Sequence, residues 1–79
     1  MVYAVITNVP YNFNTPVGGT IELVEETHDQ LPRNDVQMTT NYLYGKEYYS
    51  SRNEAIKGAT QTLQSQRNSG NNTVKAIGW

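Results

Sequence analysis

The chain has no cysteine among its 79 residues. Disulfide bridges and thiolate-bound metal sites, which stabilise many small secreted folds, are therefore excluded. A domain of this size buries only about 60% of the surface of its unfolded chain, so its stability is modest. The hydrophobic core must hold the fold alone or together with a partner subunit. A chain without cysteine is compatible with a reducing interior, and we expect a cytoplasmic location.

Neither sign of charge dominates the sequence, which has six basic and seven acidic residues and a net charge of -1. The basic residues are scattered along the chain: Arg33, Lys46, Arg52, Lys57, Arg67 and Lys75. Proteins that neutralise many phosphates cluster such residues, so we expect no strong nucleic-acid partner. No apolar run approaches the roughly 18 residues of a membrane span, and the N-terminal run is too short for a signal peptide. We therefore expect no membrane partner.

The sequence offers little equipment for catalysis. Its one histidine, His28, lies near Glu26 and Asp29, but adjacent loop residues at this spacing point in different directions. No cysteine nucleophile exists, and one histidine without a placed serine makes no catalytic triad. Gly18-Gly19 lacks the lysine and the following helix of a phosphate-binding loop, and it is better interpreted as a turn. We predict no enzymatic activity, no cofactor and no metal site.

Several stretches have the alternation that is typical of β-strands. Val2 to Val9 is apolar on both alternating faces, which predicts a central strand, and Thr20 to Thr27 predicts a half-buried one. From residue 36 the alternation predicts a strand whose core-facing side carries Val36, Met38, Thr40, Tyr42 and Tyr44. Gly45-Lys46 can form a two-residue hairpin loop. Without that loop, the strand continues to Ser50.

A helix start signal follows this tyrosine-rich stretch. Ser51 lies three residues before Glu54, which is the spacing of a capping box, and it predicts a helix over residues 52 to 66. The helix is expected to bury a narrow stripe of small and apolar residues: Ala55, Ile56, Ala59 and Leu63. Gly58 weakens it by up to about 1 kcal/mol relative to alanine. Gly70 is the expected stop, and Thr73 to Trp79 alternates as a last strand.

The order of these elements predicts the fold class. We expect one α+β domain over residues 1 to 79, with an antiparallel sheet of three to five strands in the order β-β-β-α-β. The single helix is expected to cover one face of this sheet, with Tyr42 and Ile56 in the core. The other face is expected to be only partly covered.

The junction between strand and helix resembles, in outline, that of small bacterial families with a sheet and one helix. The residues that carry this likeness read Tyr-Ser-Ser-x-x-Glu-Ala-Ile-x-x-Ala, within residues 44 to 63. Antitoxins of the HicB type are among these families, and the resemblance would imply a regulatory role. The Pro-Gly-Cys turn associated with those antitoxins is absent. The likeness therefore assigns no family.

Aromatic residues are the main candidates for a functional surface. The long loop over residues 10 to 20 carries Tyr11 and Phe13, which either fold back over the open sheet face or anchor a partner. Tyrosine and tryptophan are enriched where protein partners bind most tightly. The candidate partner-binding residues are Tyr11, Phe13, Tyr48, Tyr49 and Trp79.

We therefore hypothesise a small non-enzymatic protein-binding module, a regulator or inhibitor of the accessory kind that phages and mobile elements carry, antitoxin-like or anti-defence-like. Its partner would be another protein or a second copy of the chain in a homodimer. The alternative is a weak binder of single-stranded nucleic acid that uses Tyr48, Tyr49, Lys46 and Arg52. Salt dependence of binding would distinguish the two, since only phosphate contacts make affinity steeply dependent on salt.

Overall fold

The computed structural model describes residues 1–10 and 18–79. Its elements, in chain order, are β1 (Val2–Pro10), β2 (Thr20–Glu26), β3 (Asp35–Met38), β4 (Tyr42–Tyr49), α1 (Arg52–Asn68) and β5 (Lys75–Ile77). The described strands form one five-stranded sheet in the order β3-β4-β1-β2-β5. Neighbours run antiparallel except β2 and β5, which are parallel. The predicted α+β class is confirmed, with one strand more before the helix than the predicted order contains.

The central position predicted for the first strand is confirmed. β1 pairs with β2 on one side and with β4 on the other. Val5 and Val9 are almost fully buried, and Ala4, on the opposite face of the strand, is buried completely. A strand with neighbours on both edges is expected to be mostly apolar, and β1 shows this pattern apart from Thr7 and Asn8.

Of the two alternatives at Gly45-Lys46, the structure has the continuous strand, and no hairpin loop forms there. The chain instead reverses between β3 and β4, where the amide of Thr39 donates to the carbonyl of Tyr42 at 2.8 Å. The Thr39 hydroxyl accepts from the amide of Tyr42 at 3.0 Å, so a local side chain replaces one hydrogen bond of the turn. Gly45 is an interior residue of β4, buried between Thr7 and Val36 of the two neighbouring strands.

This turn also overturns the predicted core face of the third strand. Val36 and Met38 lie on the same side of the sheet as Leu43, which contacts the core, whereas Tyr42 and Tyr44 point to the other side. All four are exposed, by 62%, 61%, 50% and 37% respectively. The helix packs mainly on β1, β2 and β4 and does not extend over β3, so Val36 and Met38 lie beyond its cover.

The core forms between α1 and the central strands. Ala55 and Ala59 are completely buried, and their small side chains bring the helix close to the sheet. The predicted stripe is confirmed. Its two large residues, Ile56 and Leu63, are partly buried at the edge of the core. The fully or nearly fully buried apolar cluster consists of Val5, Val9, Ile21, Leu23, Ala55, Ala59 and Val74.

A buried asparagine joins the end of the helix to the segment before β5 and to the segment before β2. Asn71 is completely buried, and its amide nitrogen donates to the carbonyl of Gly18 at 2.9 Å and to the side chain of Gln66. Its side-chain oxygen accepts from the amide and the hydroxyl of Thr73. The Thr73 hydroxyl in turn accepts from the amide of Gly18. This Asn71 network is complete, because every buried polar atom in it has a partner.

The predicted helix start at Ser51 is confirmed. Ser51 has an extended backbone, and its hydroxyl accepts from the amide of Glu54 at 3.2 Å. The helix runs two residues further than predicted, to Asn68, and Gly70 follows with a positive φ of 98°. Glycine adopts that conformation without the steric cost that other residues incur.

We expect the substitution Ser51→Ala to lower the free energy of unfolding by about 1 kcal/mol, because the amide of Glu54 loses its acceptor. Urea denaturation followed by circular dichroism measures this change. Ser65→Ala, at an exposed position inside the same helix, is the matched control and should not destabilise the protein. Equal midpoints for the two variants would contradict the role of Ser51 as the helix cap.

Candidate interaction surface

The sheet face that α1 leaves uncovered, here called the open face, is defined by the strand register. On β4, alternate residues point to this face: Tyr42, Tyr44, Lys46 and Tyr48. The strand pairing places them opposite Pro10, Asn8, Ile6 and Ala4 of β1, respectively. Alternate side chains on one strand lie about 7 Å apart, so β4 presents a row of three tyrosines interrupted by one lysine. The remaining open-face positions include Val2 on β1 and, on the other strands, Glu22, Val24, Glu26, Asp35, Gln37, Lys75 and Ile77.

A polar cluster occupies one end of the open face. Lys46 Nζ lies 2.8 Å from Glu26 Oε2, and Glu26 Oε1 lies 2.7 Å from His28 Nε2. Lys46 belongs to β4 and Glu26 to β2, so this ion pair crosses the central strand β1. Lys46 Nζ also lies 5.2 Å from the centre of the Tyr48 ring, within the range of a cation–π interaction.

The contacts within this cluster favour the charged forms of Lys46 and Glu26. The hydrogen bond from Lys46, reinforced by that from His28, lowers the pKa of the Glu26 carboxyl below its usual value. The same contact with Glu26, followed by Tyr48, raises the pKa of the Lys46 ammonium. Lys46 is therefore paired with a carboxylate at neutral pH, and its charge is largely neutralised within the protein.

Tyr48 is held by contacts on several sides. The His28 ring meets the Tyr48 ring edge to face, with centres 5.8 Å apart and planes at 85°. The amide of Tyr48 donates to the side-chain oxygen of Asn34, the residue before β3 begins, at 2.8 Å. The loop between β2 and β3 therefore contributes to the open face through His28 and fixes one of its three tyrosines. Tyr42 and Tyr44 are more exposed and form the accessible end of the row.

The predicted partner-binding residues do not share one surface. Tyr48 lies on the open face, whereas its neighbour Tyr49 points to the helix side and packs against the core. Burial, followed by the nearby Glu47 carboxylate, raises the pKa of the Tyr49 hydroxyl. Trp79 also packs against the core, and its indole nitrogen donates to the carbonyl of Ile21 at 3.0 Å. Tyr11 and Phe13 lie outside the described residues.

The two cations of the predicted nucleic-acid surface are also separated. Lys46 lies on the open face, and Arg52 begins α1, which packs on the opposite face. Sequence reasoning missed Tyr42 and Tyr44 as surface residues, because it assigned both to the core. The signal that could have identified them is Thr39-Thr40-Asn41, a run of residues that favour turns.

No helix in residues 1–10 and 18–79 is long and apolar enough to cross a membrane. The same residues contain no group of three or more side chains placed to hold a metal ion. No protein family, curated protein or solved structure matches this chain at a significant level.

Proposed function

We propose that this chain is a non-enzymatic protein-binding module whose binding surface is the open face, with Tyr42, Tyr44 and Tyr48 as its anchors. The observation that carries the proposal is the exposure of Tyr42 and Tyr44 beside the fixed ring of Tyr48 on one strand. Tyrosine side chains offer a large apolar area and one hydroxyl at a low cost in conformational entropy. A rigid sheet that presents three of them suits the recognition of a protein surface.

The charges of the open face favour a protein partner over a phosphate backbone. Its basic residues are Lys46 and Lys75, and Lys46 is engaged with Glu26. Acidic side chains occupy the same face at Glu22, Glu26 and Asp35, the last of which lies opposite Lys46 in the register of β3 and β4. A strand of nucleic acid would meet more negative than positive charge there, whereas an apolar or mixed protein surface would not be repelled.

The role of a regulator or inhibitor, of the kind that phages and mobile elements carry, belongs to this proposal and rests on the size and composition of the chain. So does the cytoplasmic location. The partner is another protein, and binding of this chain covers the partner's functional surface.

Affinity capture from the native host, followed by calorimetry with the captured protein, tests the proposal. Two baits are compared with the wild type: a Tyr42→Ala/Tyr44→Ala variant, and Gln61→Ala on the exposed side of α1 as the control. We expect each tyrosine to contribute roughly 1 to 3 kcal/mol to binding, and the control to contribute nothing measurable. Equal capture by all three baits would show that the open face is not the binding surface.

A titration with mixed single-stranded oligonucleotides tests the alternative, since the spacing of the tyrosine row would also allow bases to stack. The protein-binding proposal predicts weak binding here, and an affinity for the protein partner that changes little with salt. Sub-micromolar oligonucleotide binding that weakens steeply with salt would overturn the proposal.

A further inference from the structure

The strand β3 forms one outer edge of the sheet, and its backbone groups alternate between β4 and the exterior. The amide of Thr39 donates to the carbonyl of Tyr42 on β4. In an antiparallel pair every second residue bonds to the partner strand, so Gln37 and Asp35 also bond to β4. The amide of Tyr48, which lies beyond Asp35 on β4, points to the same side and is bonded to Asn34. The N–H and C=O groups of Val36 and Met38 therefore point away from the sheet.

Apart from its short length of four residues, this edge lacks the devices that normally keep sheet edges from pairing with other chains. Monomeric proteins protect edge strands with lysine, proline, bulges or covering segments. β3 contains one charged residue, Asp35, at its start, and its pairing with β4 runs without a bulge. Its side chains Val36 and Met38 are exposed on the helix side of the sheet. The opposite edge, β5, is only three residues long and carries Lys75.

We propose that β3 pairs in antiparallel fashion with β3 of a second copy of this chain, about a two-fold axis perpendicular to the sheet at Gln37. Such a rotation keeps the helix faces of both sheets on the same side. It places Val36 opposite the partner's Met38, and Met38 opposite the partner's Val36. Their outward N–H and C=O groups then bond to each other, and the two sheets become one.

A second copy fits this edge for three reasons. The four side chains at Val36 and Met38 of the two copies form one apolar cluster between the two helices. In this register Asp35 faces the partner's Thr39, so no like charges meet. The net charge of -1 also leaves little repulsion between whole copies. A register centred on Val36 would instead place Met38 opposite the partner's Asn34. Within each copy, the Asn34 side chain already accepts from the amide of Tyr48.

The proposed contact buries a small area. Four residues on each side give an interface at or below the roughly 1,200 Å² at which weak, transient contacts begin. We therefore infer a reversible dimer with a dissociation constant between about 10 μM and 1 mM. The pairing does not depend on the function proposed above, because it uses the edge of β3 and the helix side of the sheet. It would leave the two open faces side by side, with their tyrosines accessible.

Sedimentation velocity of the full chain over about 10 μM to 1 mM, the range that brackets such a constant, tests the inference. We expect the average mass to rise from that of a monomer toward that of a dimer. Val36→Lys should weaken the association at least tenfold, since it places a charge in the apolar cluster. Met38→Pro should do the same by removing an outward N–H while sparing every bond to β4. Circular dichroism verifies that each variant is folded.

Matched variants distinguish this edge from other surfaces. Ile77→Lys, at the opposite edge of the sheet, should leave the association unchanged. Tyr42→Ala/Tyr44→Ala should also leave it unchanged, although it should weaken capture of a protein partner. A wild type that remains monomeric at the highest concentration would overturn the inference. So would an association that withstands Val36→Lys and Met38→Pro, or one that is lost only with the open-face tyrosines.

Discussion

Ile21→Ala is expected to lower the free energy of unfolding by about 3 to 4 kcal/mol, the largest effect that we expect of a single substitution here. Ile21 is completely buried in the core between α1 and the sheet. It lies on β2 between Thr7 of β1 and Ala76 of β5, so the cavity left by its side chain has neighbours on both edges. The sheet backbone restricts relaxation around that cavity.

Urea denaturation of Ile21→Ala measures this effect, with Tyr42→Ala as the control. The total stability of a chain of this length is about 4 to 12 kcal/mol, so the first variant could lose most of its folded population. Tyr42 is half exposed, and its truncation should change stability by no more than about 0.5 kcal/mol. A larger loss for Tyr42→Ala than for Ile21→Ala would contradict the core described here.

Gly58→Ala is expected to destabilise the protein by about 1 to 3 kcal/mol, although alanine favours helices more than glycine does. A Cβ atom at Gly58 would contact the Tyr49 hydroxyl and lie 2.6 Å from the Tyr49 Cζ atom. The tyrosine ring therefore occupies the space that a helical side chain would take. The cost of moving this packed ring exceeds the gain of up to about 1 kcal/mol in helix propensity.

A double-mutant cycle tests this explanation. In a Tyr49→Ala background the contact is gone, and Gly58→Ala should then stabilise the protein by up to about 1 kcal/mol. The sign of the effect thus depends on the presence of one ring. Destabilisation of equal size in both backgrounds would show that Gly58 is required for another reason.

The elements that local patterns determine were predictable from the sequence. β1 is apolar on both faces from Val2 to Ile6, and its central place follows from that pattern. Ser51 and Gly70 mark the ends of the helix through capping chemistry that depends on a few neighbouring residues. Such signals need no knowledge of the rest of the fold.

The faces of β3 and β4 were not predictable in the same way. Gly45-Lys46 and Thr39-Thr40-Asn41 both favour a turn, and nothing local decides between them. Alternation has a period of two, so the position of the turn determines which side chains reach the core. Continuing the alternation unbroken through residues 39 to 41 therefore placed Tyr42 and Tyr44 inside the protein and removed them from the candidate surface.

Part of the candidate surface could have been predicted, and part could not. Adjacent residues of a strand point to opposite faces, so Tyr48 and Tyr49 could not both belong to one surface. The role of Gly58 depends on a ring that approaches from another element, and the sequence contains no trace of this contact. The pairing of Lys46 with Glu26 likewise needs the strand order, because it crosses β1 between β4 and β2.

The Asn71 network has a consequence for the order in which the sheet assembles. It joins Gly18 to Thr73, which are 55 positions apart in the chain. Closing so long a loop costs conformational entropy, and contacts of this range form slowly. We therefore expect β5 to dock after β1, β2 and α1 have met. Until then β2 is an unprotected edge, and the growing sheet can pair with other chains at the strand that carries Ile21 and Leu23.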